Sequence, residues 1–277
     1  MAGSDARVDL ETRKILADLK AVVDSLDVPM LLIGARARIL MFDSQYGQGR
    51  ATRDWDLAVK VDNWSRYETL VTQMTASKTA RFRKTNVVHK FIHLGTGLEV
   101  DIIPFGDISG DRQEITWSDG DRMSVLGLQE AFSNARIEKV EEIEIRVLGY
   151  PALVGLKILA WHERGEDKDL ADIVHVLRNY EDDERVIEEL YTEIQASKLE
   201  FEIAAPTLLG RDIQAIFQER TLEKIREILL RLIEQQNRYF PQFISKISDR
   251  DDWDEEFEQL VSRFQALQYG INHLLSS

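Results

Sequence analysis

The strongest constraint on the fold is a change of hydrophobic period near residue 150. Before it, short apolar runs alternate with polar residues or stop at glycines, as strands do, with helical stretches between them. From Pro151 onward apolar residues recur every three or four positions, the period of helices. A chain that changes period once in this way is expected to be a mixed α/β portion followed by a helical one.

Within the first portion the spacing predicts a helix over residues 9–26, with Ile15, Leu16, Leu19, Val22, Val23 and Leu26 in phase. MLLI, ending at Gly34, followed by ARARILMF reads as a strand, a tight turn and a helix. TRDWDLAVKV alternates, placing Asp54, Asp56 and Ala58 on one face and Trp55, Leu57, Val59 and Val61 on the other. A helix over residues 63–76 follows. VVHKFIHLG and GLEVDIIPF form a hairpin around Gly95-Thr96-Gly97, and EIEIRVL is the last strand. The second portion contains helices over PALVGLKILAWHER and DKDLADIVHVLRNY, an acidic break at residues 181–184, and a helix over 221–235 carrying Leu222, Ile225, Leu229, Leu232 and Ile233 on one face. SDRDDWDEEFEQ reads as a solvated loop and helix start.

At 277 residues and 44% hydrophobic, the chain is long enough for two domains of ordinary size. It has no cysteine, so no disulfide or thiolate metal site is available, and a reducing compartment is its natural setting. The start MAGSDARVDLETRK lacks the apolar centre of a signal peptide, and no apolar run approaches the roughly 20 residues that span a bilayer. A soluble, cytoplasmic protein is expected, with no membrane partner. The net charge of −14 argues against a general nucleic-acid coat. That charge is uneven: residues 1–150 carry 20 Lys+Arg against 23 Asp+Glu, the remainder 15 against 26. Between Glu68 and Glu99 no acid occurs, while Lys78, Arg81, Arg83, Lys84 and Lys90 fall there, which suits either an anion-attracting patch or a solvated basic hairpin.

Two aspartates one residue apart on a strand project from one face about 6.6–7 Å apart, close enough for both to reach divalent cations. Mg²⁺ takes oxygen ligands and is commonly fixed by one or two carboxylates together with substrate phosphates, so Asp54 and Asp56 suit phosphoryl or nucleotidyl transfer. Taken alone the pair equally fits two carboxylates that face water or bond to arginine. Asp101, flanked by Val100, Ile102 and Ile103, is the candidate third carboxylate, because an aspartate buried in so apolar a strand must be paired or ligated. Gly34 could let the backbone approach a phosphate, with Arg36 and Arg38 behind it, or serve only as a turn. Arg50, Thr52 and Arg53 precede the aspartate pair. His89, His93, His162 and His175 show no ligand spacing and read as core or surface residues.

The ordered series IGARARIL, RATRDWDLAV, VDIIPFG and LKILAWHERGEDKDLADIVHVL, over roughly residues 30–180, resembles the nucleotidyltransferases of the AbiEii/AbiGii toxin type, within the DNA polymerase β-like superfamily. The resemblance implies an α+β fold: a polymerase β-like nucleotidyltransferase core with a mixed sheet over residues 1–148, and a helical domain over 149–277 that completes the nucleotide site. It implies an enzyme that moves an NMP from an NTP to a hydroxyl acceptor, a tRNA 3′ end or a protein, with Mg²⁺ or Mn²⁺. The setting would be a toxin–antitoxin or phage-defence system with a cognate antitoxin. By the same resemblance Asp54, Asp56 and Asp101 are catalytic metal ligands, with Lys157 catalytic beside them. Gly34, Ala35, Arg36 or Arg38, and Arg53 hold phosphates. Arg164, Asp169 and Asp172 engage the nucleotide. Ala35 and Arg36 stand where many relatives carry a second glycine or a hydroxyl residue. Two other readings remain: a catalytically silent binding module of the same fold, and a metal-dependent nuclease. The nuclease would want a lysine close after its second carboxylate, and EVDIIPF supplies none.

Overall fold

The computed structural model describes residues 2–43, 45, 52, 54–76, 78–140, 142–244 and 250–273. The chain divides into two compact units, Met1–Met41 with Ala51–Gly149, and Phe42–Arg50 with Tyr150–Ser277.

The first unit is built on a mixed seven-stranded sheet. Its strands are β1 (Met30–Ile33), β2 (Trp55–Lys60), β3 (Phe82–Lys84), β4 (Lys90–His93), β5 (Glu99–Phe105), β8 (Arg136–Val140) and β9 (Ile143–Val147), in the order β3-β4-β5-β2-β1-β9-β8. β6 (Glu114–Thr116) and β7 (Arg122–Ser124) form a separate hairpin. β2 is the middle strand, antiparallel to β1 and parallel to β5. A strand so placed is covered on both faces, which is why Ala58 is as buried as Leu57 and Val59 and the alternation of the sequence does not separate core from solvent there. Asp54 and Asp56 escape burial because they stand at the strand's entrance.

Helices α1 (Ala2–Ser25), α2 (Gly34–Arg38), α3 (Trp64–Thr75) and α4 (Leu128–Ser133) complete this unit. α1 buries Ile15, Leu16, Leu19 and Val23, in the phase that the sequence predicts, each contributing about 1.5–3 kcal/mol relative to an exposed side chain. α3 starts where the Asn63 side chain accepts a hydrogen bond from the Arg66 amide at 3.0 Å, and it buries Tyr67, Leu70, Val71 and Met74. The helix expected over ARARILMF is α-helical only to Arg38. Residues Ile39–Asp43 widen into a π turn, where the chain passes into the second unit.

The second unit is helical: α5 (Tyr150–Arg164), α6 (Asp167–Asn179), α7 (Asp183–Gln195), α8 (Ala204–Ile216), α9 (Glu219–Glu234), α10 (Gln236–Tyr239) and α11 (Arg250–Asn272). Asp182 caps α7 by accepting from the Arg185 amide at 3.3 Å. α9 buries Leu222, Ile225, Leu229 and Leu232 along the predicted stripe. α8 and α11 cross at Gly210 and Gly270, where a Cβ on either would meet the other helix's backbone. Phe42 packs edge-on against Tyr150 and His175 in this unit, with Asp43 Oδ1 3.3 Å from His175 Nε2. Among the described residues no helix is long and apolar enough to cross a membrane.

β3, β6, β7, α4 and β8 are absent from the elements that the sequence predicts. All are short, and β8 (RIEKV) lies at a sheet edge, where its alternating charges face water and mimic a loop.

Candidate active site

Strand register decides which carboxylates meet. Asp56 of β2 lies directly beside Asp101 of β5 in a parallel pair, so both project from the same face. On the far side of β5, Lys90 of β4 is opposite Asp101, and on the far side of β2, Ile33 of β1 is opposite Asp56. One row therefore runs Ile33–Asp56–Asp101–Lys90 across four adjacent strands. Asp54 is exposed just before β2, its amide donating to Thr52 Oγ1 at 3.3 Å.

Asp101 carries a raised pKa. Burial raises its pKa, and the negative charges of Asp54 and Glu99 raise it further, against an opposing effect of Lys90. The Lys90 ammonium sits 2.7 Å from Glu99 Oε2 and 3.3 Å from Asp101 Oδ1. Even so, Asp101 Oδ1 is buried and accepts no well-formed hydrogen bond. An ionised oxygen left in that state fits a site built for a cation, and the donors around it are the hard oxygens that Mg²⁺ or Mn²⁺ prefer. Among the described residues no three His, Asp or Glu side chains are yet gathered round one point. Lys90 lies between Asp101 and Glu99.

Gly34 closes the row on the other side. Its φ of +67° lies in the left-handed region, and a Cβ there would overlap the Asp56 carboxylate. The glycine is thus required by Asp56 as well as by the turn. Ala35 behind it is buried. Arg36 is half-buried with its guanidinium 5.0 Å from the Trp55 ring centroid. Burial lowers its pKa while Asp54 and Glu11 work to raise it. Arg38, with 0% exposure, points into the interior, so of the two arginines proposed for phosphate only Arg36 is open to a ligand. Arg50 and Arg53 lie outside the described residues.

The candidates of the helical unit form a cluster of their own. Lys157 Nζ of α5 lies 2.8 Å from Asp169 Oδ1 and 2.9 Å from Asp172 Oδ2 of α6, and Arg164 grips Asp169 through Nε and Nη2 at 2.7 and 2.9 Å. The lysine side chain is 8% exposed and the two aspartates are buried, whereas Arg164 is 47% exposed. Burial alone would raise the pKa of Asp169, but the Arg164 hydrogen bond and the Lys157 charge outweigh it and hold the pKa low. Asp169 and Asp172 are three positions apart on α6, which puts both on the face that meets Lys157.

Lys90 and Glu99 were not singled out as site residues from the sequence. The signal was present in the hairpin, because antiparallel pairing about Gly95–Gly97 places Lys90 opposite Asp101. The histidines take packing roles. His93 bridges Asp18 and Thr96 at 2.9 Å each, His89 lies against Trp117, His162 accepts or shares a hydrogen bond with Arg231, and His175 faces Asp43.

Among solved structures the chain is similar to an antigenic nucleotidyltransferase-like protein from Paracoccidioides brasiliensis (18% identity, TM-score 0.39, covering 67% of this chain and 88% of that one). It is similar also to the antibiotic-resistance factor ANT(2'')-Ia (14%, 0.39, 69% and 96%) and to a protein of H. pylori assigned as a nucleotidyltransferase (13%, 0.36, 95% and 95%). These likenesses are distant, and the assignment does not depend on them. No curated protein matches the chain. The family model described as "Nucleotidyl transferase AbiEii toxin, Type IV TA system" matches residues 25–265, and the chain therefore belongs to the AbiEii family of toxin–antitoxin nucleotidyltransferases, enzymes that transfer a nucleotidyl group from an NTP.

Proposed function

We propose that this chain transfers an NMP from an NTP to a hydroxyl acceptor, a tRNA 3′ end or a protein, at the carboxylate row of the sheet. The observation that carries the reading is the register of β2 and β5, which sets Asp56 beside Asp101 with Asp54 two residues away and Gly34 packed against them. Asp54, Asp56 and Asp101 would hold Mg²⁺ or Mn²⁺, supported by the oxygen donor set and the unsatisfied Asp101 oxygen. When bound, such a cation neutralises triphosphate charge and polarises the phosphoryl oxygens.

The protein's own part is positioning and proton handling. Asp101, made more basic by burial and by its acidic neighbours, accepts the proton of the acceptor hydroxyl. The acceptor oxygen forms a bond to the α-phosphorus as the bond to the bridging oxygen breaks, and pyrophosphate leaves. Arg36, held on Trp55, and the backbone at Gly34 and Ala35 offer phosphate contacts. In the helical unit, Lys157, Asp169 and Asp172 form the buttress for nucleotide engagement and Arg164, bonded to Asp169 and 47% exposed, is the residue nearest solvent.

The toxin role implies a cognate antitoxin, and an open reading frame for a small DNA-binding protein beside this one would support it. The acidic helical portion disfavours RNA, and the basic stretch from Lys78 to Lys90 favours it, so both acceptors enter the test. The chain is incubated with each labelled NTP, Mg²⁺ or Mn²⁺, and total tRNA or cell protein, beside Asp56→Asn. Metal-dependent label on one acceptor, absent in the variant, is expected; NTP binding without label on any acceptor would instead favour a silent binding module.

A further inference from the structure

The Lys90 ammonium spans two carboxylates of unequal standing. It is 2.7 Å from Glu99, which is half-open to water, and 3.3 Å from Asp101, which the proposed function makes a metal ligand. The strand pairing fixes this arrangement, since Lys90 is cross-strand from Asp101 while Glu99 is two residues earlier on the same face of β5. The lysine tip lies within ion-pair distance of Asp101, and yet it makes its shorter and better-formed bond to Glu99. A lysine chain has four rotatable bonds, so it can withdraw from one carboxylate and keep the other.

We propose that Lys90 is a displaceable internal cation that occupies Asp101 until a divalent metal takes its place, with Glu99 as the partner that holds it once displaced. Lys90 then acts as a positioning residue. It offsets the repulsion of the empty carboxylate row and sets the metal concentration at which the site fills. This inference rests on the proposed metal-binding role of Asp54, Asp56 and Asp101.

The probe is Mn²⁺ alone, titrated into the full-length protein and read by electron paramagnetic resonance of the free ion. Lys90→Gln should tighten Mn²⁺ binding about tenfold, because the competing charge is gone. Glu99→Gln should weaken it by about threefold, because Lys90 then leans on Asp101 alone. Lys90→Arg, which keeps the charge, should bind as the unsubstituted chain does. Asp56→Asn and Asp101→Asn report on the underlying reading. Binding that depends on both aspartates but is unchanged or weaker in Lys90→Gln overturns the inference and leaves the proposed site standing. No aspartate-dependent binding in either the unsubstituted chain or Lys90→Gln overturns both. Should Lys90→Gln fail to fold, the Lys90 ammonium resonance of the unsubstituted chain should shift on Mg²⁺ addition, and should not shift in Asp101→Asn; a resonance indifferent to Mg²⁺ overturns the inference.

Discussion

The sheet and the helices each gather aspartates around a lysine, but the two clusters carry opposite balances of charge. In the helical unit Lys157 and Arg164 meet Asp169 and Asp172 at 2.7 to 2.9 Å, and these four side chains carry two positive and two negative charges. In the sheet Lys90 stands beside Asp101 and Glu99 while Asp54 and Asp56 add further negative charge nearby, and a buried Asp101 oxygen is left without a good donor. The pKa directions record the difference, since Asp169 is held low and Asp101 is pushed up. A buried cluster that is neutral within itself suits a scaffold, whereas a partly open cluster with surplus charge suits binding a cation from outside.

The largest expected effect tests that division directly. Asp56→Asn should cut nucleotidyl transfer by roughly 10⁴-fold, the loss of several kcal/mol of metal-dependent stabilisation of the transition state. Its melting temperature should hold or rise, because one of several mutually repelling charges is removed. A melting temperature that fell with the activity would place Asp56 in the scaffold instead. Lys157→Met should behave in the opposite way. Stranding Asp169 and Asp172 in the interior without their lysine should cost about 3–5 kcal/mol in urea unfolding. A variant as stable as the parent would remove the contrast between the two clusters.

Gly34→Ala is next in size and sits at the join of structure and chemistry. The left-handed backbone there costs about 1–2 kcal/mol for a residue with a Cβ, and that Cβ must also push the Asp56 carboxylate aside. Lost stability of that order should accompany a fall in metal affinity measured by Mn²⁺ titration. Stability lost with metal affinity intact would make Gly34 a turn residue and nothing more.

Much of this was legible in the sequence where period and register are local properties. The helical stripes at Ile15–Val23 and Leu222–Leu232 declared themselves, as did the hairpin of β4 and β5, because their hydrophobic spacing reflects their own burial. That Asp101 would sit beside Asp56 came from resemblance, since a parallel pairing between β2 and β5 joins residues 45 positions apart and leaves no local trace. Lys90 read as one more cation of a basic stretch, although its partners were within reach of a hairpin count. Arg38 reads as a phosphate candidate because it follows Gly34 closely, whereas the structure buries it on α2 with 0% exposure. Ion-pair closure around Lys157 was also invisible, because i,i+3 spacing gives Asp169 and Asp172 a common face without saying what that face meets.

The two clusters should also separate by pH. Asp169 has a folded pKa below its unfolded value, so its contribution to stability is present above the unfolded aspartate pKa and is lost as pH falls through the folded value. Asp101 has a folded pKa above its unfolded value, so what it contributes is present below the unfolded pKa and is lost as pH rises through the folded one. Asp169→Asn should therefore flatten the acid side of a stability–pH curve, and Asp101→Asn should lift the curve above the carboxylate range. If Asp101 takes the acceptor's proton as proposed, the acid limb of activity should lie above that of an ordinary aspartate. Lys90→Gln, which removes a charge that holds that pKa down, should move the limb higher still.

Arg164→Ala gives the smallest effect and the finest cut between the clusters. Its two hydrogen bonds to Asp169 are short, but the side chain is 47% exposed, and water screens such a pair to about 1 kcal/mol or less. Asp169 keeps Lys157 after the substitution, so no buried charge is stranded. If the helical unit meets a nucleotide through Arg164, KM for the NTP should rise about tenfold with kcat nearly unchanged, a loss of binding shared by ground and transition states. A stability loss as large as that of Lys157→Met, with KM unmoved, would fold Arg164 into the scaffold. In that case the helical cluster would be structural throughout, and nucleotide recognition would rest on the sheet and on Arg36 alone.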